Sequence, residues 1–276
     1  MELFTAADLS VIRSSDVEYR AQIDDPRISE VRILRPQEIP IYVNEGLFDI
    51  GITGRDWIEE TGADVVSLGE LNYSKATSLP IRLVLAVSSD SDIHSTEQLK
   101  DGIRISTEYP GITRRFMDKL GINANVLLSY GATEAKVPEI ADAVVEITET
   151  GRALRAAGLR IIETVLESRT ELIANPESAS DPGKRHSMEQ ILTLLVGVLE
   201  ARGKVLLKLN VSKANLDQVL SVLPSMRSPT ISELHAGEGF ALETVVPKGI
   251  VNTLIPDLSD RGATDILELP LSKIVH

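Results

Sequence analysis

The 276-residue chain has no cysteine, so it carries no disulfide framework, no thiol nucleophile and no zinc-thiolate site. That absence is compatible with the cytoplasm. Positive charge is scarce: 28 Lys and Arg stand against 41 Asp and Glu, a net charge of −13 that argues against a nucleic-acid binder. The only histidines, His94, His186, His235 and His276, are scattered with no metal-ligand spacing. No apolar run approaches the length of a membrane span, and Met1-Glu2-Leu3 opens no signal peptide, so a membrane partner is not expected. What remains is an ordinary soluble balance, 43% hydrophobic and 25% charged, in a chain long enough for two or three domains with their own cores.

Strands and helices alternate through the first part of the chain. Strands are predicted at 31–34, 49–53, 81–87, 103–107, 125–128 and 143–147, with helices at 38–44, 56–61, 95–99 and 111–120. Ser95 is the expected N-cap of its helix. This βαβ rhythm predicts an α/β fold with a largely parallel sheet covered on both faces. The stretch 175–186, NPESASDPGKRH, reads as a loop by composition, and 187–202 as a helix. The last third changes pattern: strand 205–210, helix 214–223, strands 230–234 and 240–246, helix 249–258, strand 265–269. That βαββαβ order predicts a ferredoxin-like domain.

The most informative stretch is 141–154, ADAVVEITETGRAL. An apolar strand leads to Glu146, then a small polar loop, Thr148-Glu149-Thr150-Gly151, then a helix from Arg152. Converging backbone N–H groups, a glycine without Cβ and threonine hydroxyls suit a phosphate, and an acid at the strand end suits the vicinal hydroxyls of a ribose. The same residues also fit a plain strand-to-helix turn with a threonine N-cap.

This loop resembles the phosphoribosyl-diphosphate loop of the ATP phosphoribosyltransferase family. Leu34-Arg35-Pro36-Gln37-Glu38-Ile39, Asp49-Ile50-Gly51-Ile52-Thr53-Gly54-Arg55-Asp56, Thr107-Glu108-Tyr109-Pro110 and Gly131-Ala132-Thr133-Glu134 resemble the same family, in its order. Ser228-Pro229-Thr230-Ile231 looks like the signature of its long form, which carries a regulatory domain. The resemblance implies a two-lobed catalytic region like that of periplasmic binding proteins. Lobe I would comprise 1–80 and 166–198, lobe II 81–165, and a ferredoxin-like regulatory domain 199–276. It further implies transfer of a phosphoribosyl group to N1 of ATP, the first step of histidine biosynthesis, with feedback inhibition by histidine. Mg²⁺ and local arginine would offset the overall negative field that repels polyphosphates. A dimer and a hexamer are the implied assemblies.

Roles follow from the resemblance residue by residue. Thr148, Glu149, Thr150, Gly151, Arg152 and Ala153 would hold the 5-phosphate, and Glu146 the ribose hydroxyls. Arg35 would grip a phosphate; an ordinary surface or ion-paired arginine is the plainer reading. Gly51, Thr53 and Gly54 would let a ligand approach, or form a simple tight turn. Tyr109 would stack on adenine, or be an ordinary loop tyrosine. Glu134 would begin a helix facing the cleft, with Thr133 as an N-cap that needs no ligand. Asn210, Met226, Ser228, Thr230 and Asp265 are candidates for binding histidine, with Asn210 standing where an acid is expected; a surface loop explains the Ser-Pro-Thr run as well. The family opens with a strand and a basic loop, whereas Met1-Glu2-Leu3-Phe4-Thr5-Ala6-Ala7 looks like the end of its first helix, so a shortened, catalytically impaired form is a further reading. An alternative of another class is a non-catalytic two-lobed binding and sensor protein; a sugar-phosphate pocket at the acid-Thr-x-Thr-Gly loop discriminates against it.

Overall fold

The computed structural model describes residues 2–15, 17–71, 81–224 and 228–276. They group into two compact units, Ser15–Arg20 with Arg32–Leu192, and Met1–Ser14 with Ala21–Val31 and Thr193–His276. No helix among the described residues is long and apolar enough to cross a membrane.

The unit containing Arg32–Leu192 holds two sheets. In the three-stranded one, Thr170–Ala174 lies between Ile50–Gly54 and Val66–Leu71 and is antiparallel to both. Helices Ile39–Asn44 and Arg55–Thr61 supply Val43 and Ile58 to a small core with Ile173 of the central strand. Gly51 makes the first packing possible: a Cβ there would stand 2.5 Å from Ile39 Cγ2 and 2.9 Å from Val43 Cγ2.

The second sheet has the order Leu159–Ser168, Ile81–Ser88, Ala143–Thr148, Arg104–Thr107, Asn125–Leu128. Strand Ile81–Ser88 is apolar on both faces because both are covered. Leu83, Leu85 and Val87 meet Ile112 and Met117 of helix Pro110–Lys119, while Val84 and Ala86 meet Leu154 of helix Arg152–Ala156. Truncating a fully buried residue of this strand, as in Leu85→Ala, would cost about 2–5 kcal/mol.

Two expectations need correction. The sheet is mixed: Arg104–Thr107 is parallel to both its neighbours, but Ile81–Ser88 pairs antiparallel with Ala143–Thr148 and with Leu159–Ser168. The stretch 175–186 is helical rather than a loop. Asn175 caps Pro176–Ser180 by accepting from the N–H groups of Glu177 and Ser178 at 3.0 and 3.1 Å. Asp181 Oδ1 accepts from Lys184 N–H at 2.8 Å at the start of helix Pro182–Ala201. Asn-Pro and Asp-Pro are N-cap and first-turn pairs here, and their polarity belongs to helix starts.

In the other unit, Lys204–Val211, Leu216–Leu220, Thr230–Glu233, Phe240–Pro247, Val251–Asp260 and Ala263–Pro270 give the expected ferredoxin-like βαββαβ domain. Its antiparallel sheet runs Thr230–Glu233, Phe240–Pro247, Lys204–Val211, Ala263–Pro270. Val205, Leu207, Leu209 and Val211 alternate onto the core face against Val219, Leu254 and Leu258. Helix Glu2–Ala6 belongs to this unit, as do Val11 and Ile12, which pair antiparallel with Ile23 and Gln22.

Candidate active site

Strand Ala143–Thr148 ends in a loop closed by its own side chains. Thr148 Oγ1 accepts from Gly151 N–H at 2.8 Å, and Thr150 Oγ1 from Arg152 N–H at 3.4 Å. Arg155 Nη2 donates to the Thr150 carbonyl at 2.9 Å. Gly151, at φ 71°, is the left-handed N-cap of helix Arg152–Ala156. The helix has only five residues, so its dipole is small, and anion binding at this turn would rest on individual donors. Each threonine oxygen accepts from the backbone and keeps its hydroxyl proton to donate elsewhere. Thr150, Arg152 and Ala153 are exposed, Thr148 and Glu149 half-buried, Gly151 buried.

Glu146 is half-buried on the strand just before this loop. Burial pushes its carboxyl above the usual range. A hydrogen bond from Ile147 N–H, at 3.2 Å, and the nearby Thr133 side chain oppose that shift, while the carboxylates of Glu108 and Glu134 add to it. Glu134 stands in the short turn Thr133–Lys136, and its charge reaches the Glu146 carboxyl, but Thr133 is not the N-cap of that turn. Ala132, at φ 48°, takes the cap position, and the buried Thr133 hydroxyl lies 2.7 Å from Ser129 Oγ. Glu108, Ser129 and Lys136 were not singled out from sequence; Glu108 stood unremarked inside the Thr-Glu-Tyr-Pro motif.

A second group sits on the three-stranded sheet. Arg35 is exposed, with its N–H donating to Glu38 Oε2 at 3.3 Å. The buried Thr53 hydroxyl donates to the Pro36 carbonyl at 2.8 Å, holding the Arg35–Pro36 turn against strand Ile50–Gly54. Gly54 caps helix Arg55–Thr61 in extended geometry. Gly51 has the packing role described above.

Tyr109 is placed differently from the stacking position expected of it. It is 3% exposed, its ring centroid lies 4.5 Å from that of Trp57, and its hydroxyl donates to Asp56 Oδ2 at 2.8 Å. Burial raises its pKa, with the Asp56 charge next. The Ser168 hydroxyl donates to the other Asp56 oxygen. Glu60 accepts from Gly111 and Ile112 N–H, each at 2.8 Å, at the start of helix Pro110–Lys119. Tyr109 is thus a buried joint between helix Arg55–Thr61 and the second sheet.

In the ferredoxin-like domain, Asn210 Nδ2 donates to Asp265 Oδ2 at 2.9 Å, and Asp265 has a left-handed φ of 50°. Exposed Ser228 and Thr230 line a cavity of about 670 Å³ together with Leu206, Glu243 and His276. Met226 lies outside the described residues. No group of three or more His, Cys, Asp or Glu among the described residues is arranged to hold a metal ion.

A family model for ATP phosphoribosyltransferase matches residues 35–197, and a model for the HisG C-terminal domain matches 201–273. An ATP phosphoribosyltransferase of Pelotomaculum thermopropionicum (strain DSM 13744 / JCM 10971 / SI) is 48% identical over 257 residues, 93% of this chain and 88% of that protein. The chain belongs to the ATP phosphoribosyltransferase family. Its relative in Chlorobaculum parvum (strain DSM 263 / NCIMB 8327) is 46% identical over 275 residues, 100% of this chain and 92% of that protein. The solved ATP phosphoribosyl transferase (HisG:HisZ) complex from Thermotoga maritima aligns with a TM-score of 0.60 at 25% identity, over 71% of this chain and 90% of that one. As a long-form member of the ATP phosphoribosyltransferase family, the chain is a transferase of the first step of histidine biosynthesis. The alternative of a non-catalytic binding protein falls away with that membership.

Proposed function

We propose that Glu146 to Ala153 hold phosphoribosyl diphosphate while N1 of the ATP adenine attacks C1 of its ribose. The new N–C bond forms as the C1–O bond to pyrophosphate breaks, giving phosphoribosyl-ATP. Positive charge grows on the sugar ring and negative charge on the leaving group, so positioning and electrostatics supply most of the acceleration. The observation that carries this reading is the loop itself: a half-buried carboxylate directly before a turn tied shut by Thr148 and Gly151. Thr148, Glu149, Thr150, Gly151, Arg152 and Ala153 would surround the 5-phosphate, and Glu146 would accept from the ribose hydroxyls. Arg35, exposed and held near Thr53, would grip a phosphate, with Gly51 and Gly54 shaping that turn. Glu134, whose charge acts on the Glu146 carboxyl, would face the same substrate. Tyr109, with its ring buried, would position the site through Asp56.

Divalent metal enters with the polyphosphates, in our reading as their Mg²⁺ salts and therefore as part of the substrates. Mg²⁺ takes most of its ligands from phosphate and water. The ferredoxin-like domain, residues 199–276, would sense histidine through Ser228, Thr230, Asn210, Asp265 and Met226. The cavity beside Ser228 and Thr230 supports the first two. Residues 1–80 with 166–198, and 81–165, would be the two catalytic lobes, the protein a cytoplasmic homo-oligomer passing between dimer and hexamer. The test is product formation from ATP, phosphoribosyl diphosphate and Mg²⁺, with and without histidine. Turnover inhibited by histidine is expected; no turnover, or turnover indifferent to histidine, would remove the catalytic or the regulatory half of the reading.

A further inference from the structure

The second sheet carries three parallel strands side by side, Ala143–Thr148, Arg104–Thr107 and Asn125–Leu128. Register pairs Thr107 with Val145 on one side and with Leu128 on the other, so the residues that follow, Glu146, Glu108 and Ser129, leave the sheet at one level. Ligands of α/β sheets gather outside the carboxyl ends of such strands, where the chain turns away and leaves a crevice. The loop opened by Glu146 takes the first of these three ends. The third carries Tyr130.

Tyr130 is 91% exposed, which leaves both faces of an aromatic ring in water. Other aromatics of this unit are packed. Trp57 lies against Tyr109, Tyr42 meets Phe48 edge-on, and Phe116 joins the core under strand Ile81–Ser88. Tyr19 is exposed too, but it belongs to the segment Ser15–Arg20, outside this sheet.

The root of Tyr130 is tied down although its ring is bare. Ser129 N–H donates to the Thr107 carbonyl at 2.8 Å, extending the ladder of strand Asn125–Leu128 by one residue. The Ser129 side chain is buried, lies 2.7 Å from Thr133 Oγ1 and accepts from Lys136 Nζ. Gly131 and Ala132, at φ 124° and 48°, turn the chain back, and the turn Thr133–Lys136 packs against strands Ala143–Thr148 and Arg104–Thr107. A ring presented on a held base loses less freedom when a flat partner covers it. Neighbouring strands stand about 4.8 Å apart, so the root of Tyr130, two strands from Glu146, is roughly 10 Å away. A ribose with a purine at C1 is long enough to reach from one to the other.

We propose that Tyr130 is the platform on which the adenine of ATP stacks, and so a specificity-determining residue of the transfer. The inference rests on the reading that Glu146 to Ala153 hold the ribose phosphate of the donor. Stacking needs the flat face of the base and no fixed hydrogen-bond partner. It orients the purine edge toward the sugar, and it selects a nucleotide over a bare polyphosphate, whose phosphates gain nothing from the ring.

Variants of the full chain test the idea by calorimetric titration with ATP, inorganic tripolyphosphate and phosphoribosyl diphosphate, and by steady-state kinetics. The position is exposed, so the variants should fold. In Tyr130→Ala, Kd and KM for ATP should rise about tenfold or more, while Kd for tripolyphosphate and for phosphoribosyl diphosphate stays at the wild-type value. Tyr130→Phe and Tyr130→Trp keep a ring and should keep ATP binding. Wild-type Kd and KM for ATP in Tyr130→Ala would overturn the proposal. So would an equal loss of affinity for all three ligands, or a loss that accompanies a lower mass by light scattering, which would make the ring a contact between subunits. Glu146→Ala, measured alongside, separates the two levels of the argument. Unchanged affinity for phosphoribosyl diphosphate there would overturn the reading of the donor site. Weakened affinity there, with wild-type ATP binding in Tyr130→Ala, would overturn the stacking alone.

Discussion

The Tyr109 hydroxyl donates to Asp56 at 2.8 Å, across 53 residues of sequence. The bond joins a helix on the three-stranded sheet to the loop after strand Arg104–Thr107 in the second sheet. Asp56 is 4% exposed, and its other oxygen accepts from Ser168. Tyr109→Phe keeps the ring against Trp57 and leaves the carboxylate one donor short. A loss of about 1.5–3 kcal/mol in unfolding free energy is expected. Urea denaturation with an unchanged m-value checks it; a variant as stable as wild type would show the bond to be idle.

Gly151 should not tolerate a side chain. At φ 71° a Cβ would lie 2.8 Å from Arg155 Nη1 and 3.0 Å from Ile161 Cδ1. Arg155 can swing away, so the fold should survive Gly151→Val with a cost of about 1–3 kcal/mol from the left-handed backbone. Binding of phosphoribosyl diphosphate should be nearly abolished, because the loop re-forms around the new side chain. Circular dichroism and a titration on the same sample separate the two effects.

How much of this was legible follows from particular residues. Strand Asn125–Leu128 and the N-cap at Ser95 stand where the sequence put them, because local chemistry decides both; the helix that Ser95 opens is only the 3-10 turn Thr96–Gln98. Strand Leu159–Ser168 was missed. Its register shifts at Ile161/Glu163 and Thr164/Leu166 break the period-two alternation that marks a strand. With it went the antiparallel half of the sheet. At the site, Glu146, Thr148 and Gly151 were readable because strand, acid, threonine and glycine are contiguous. The influence of Glu108 and Glu134 on Glu146 was not, because only the tertiary fold brings those carboxylates near one another. The choice between a stacking and an ordinary loop tyrosine at Tyr109 could not be made from sequence, because nothing local signals its packing on Trp57 and its bond to Asp56.

Asp25 offers a pH test of stability. The Arg27 side chain holds its carboxyl down to about 2 from an ordinary 3.8. A depressed carboxylate stabilises the fold in full above the ordinary value, and that contribution disappears as pH falls from 3.8 through about 2. Arg27→Met should be less stable than wild type at neutral pH, and the difference should shrink across that acid window. A gap that stays constant with pH would assign it to packing.

The double change Ser228→Val and Thr230→Val removes the hydroxyls of two residues that line the cavity. Both residues are exposed, so stability should change by no more than about 0.5 kcal/mol. Histidine should no longer bind by calorimetry, and turnover should lose its inhibition. Unaltered histidine affinity would move the sensor elsewhere in the domain.

The central claim is that the loop opened by Glu146 holds the ribose phosphate during transfer, and the most direct measurement is the affinity for phosphoribosyl diphosphate of the wild-type chain against Glu146→Ala. Removing the carboxylate takes away one or two charge-assisted bonds of about 1.5–3 kcal/mol each, so Kd should rise at least about tenfold and the rate of phosphoribosyl-ATP formation should fall with it. Equal Kd values for the two proteins would contradict the account.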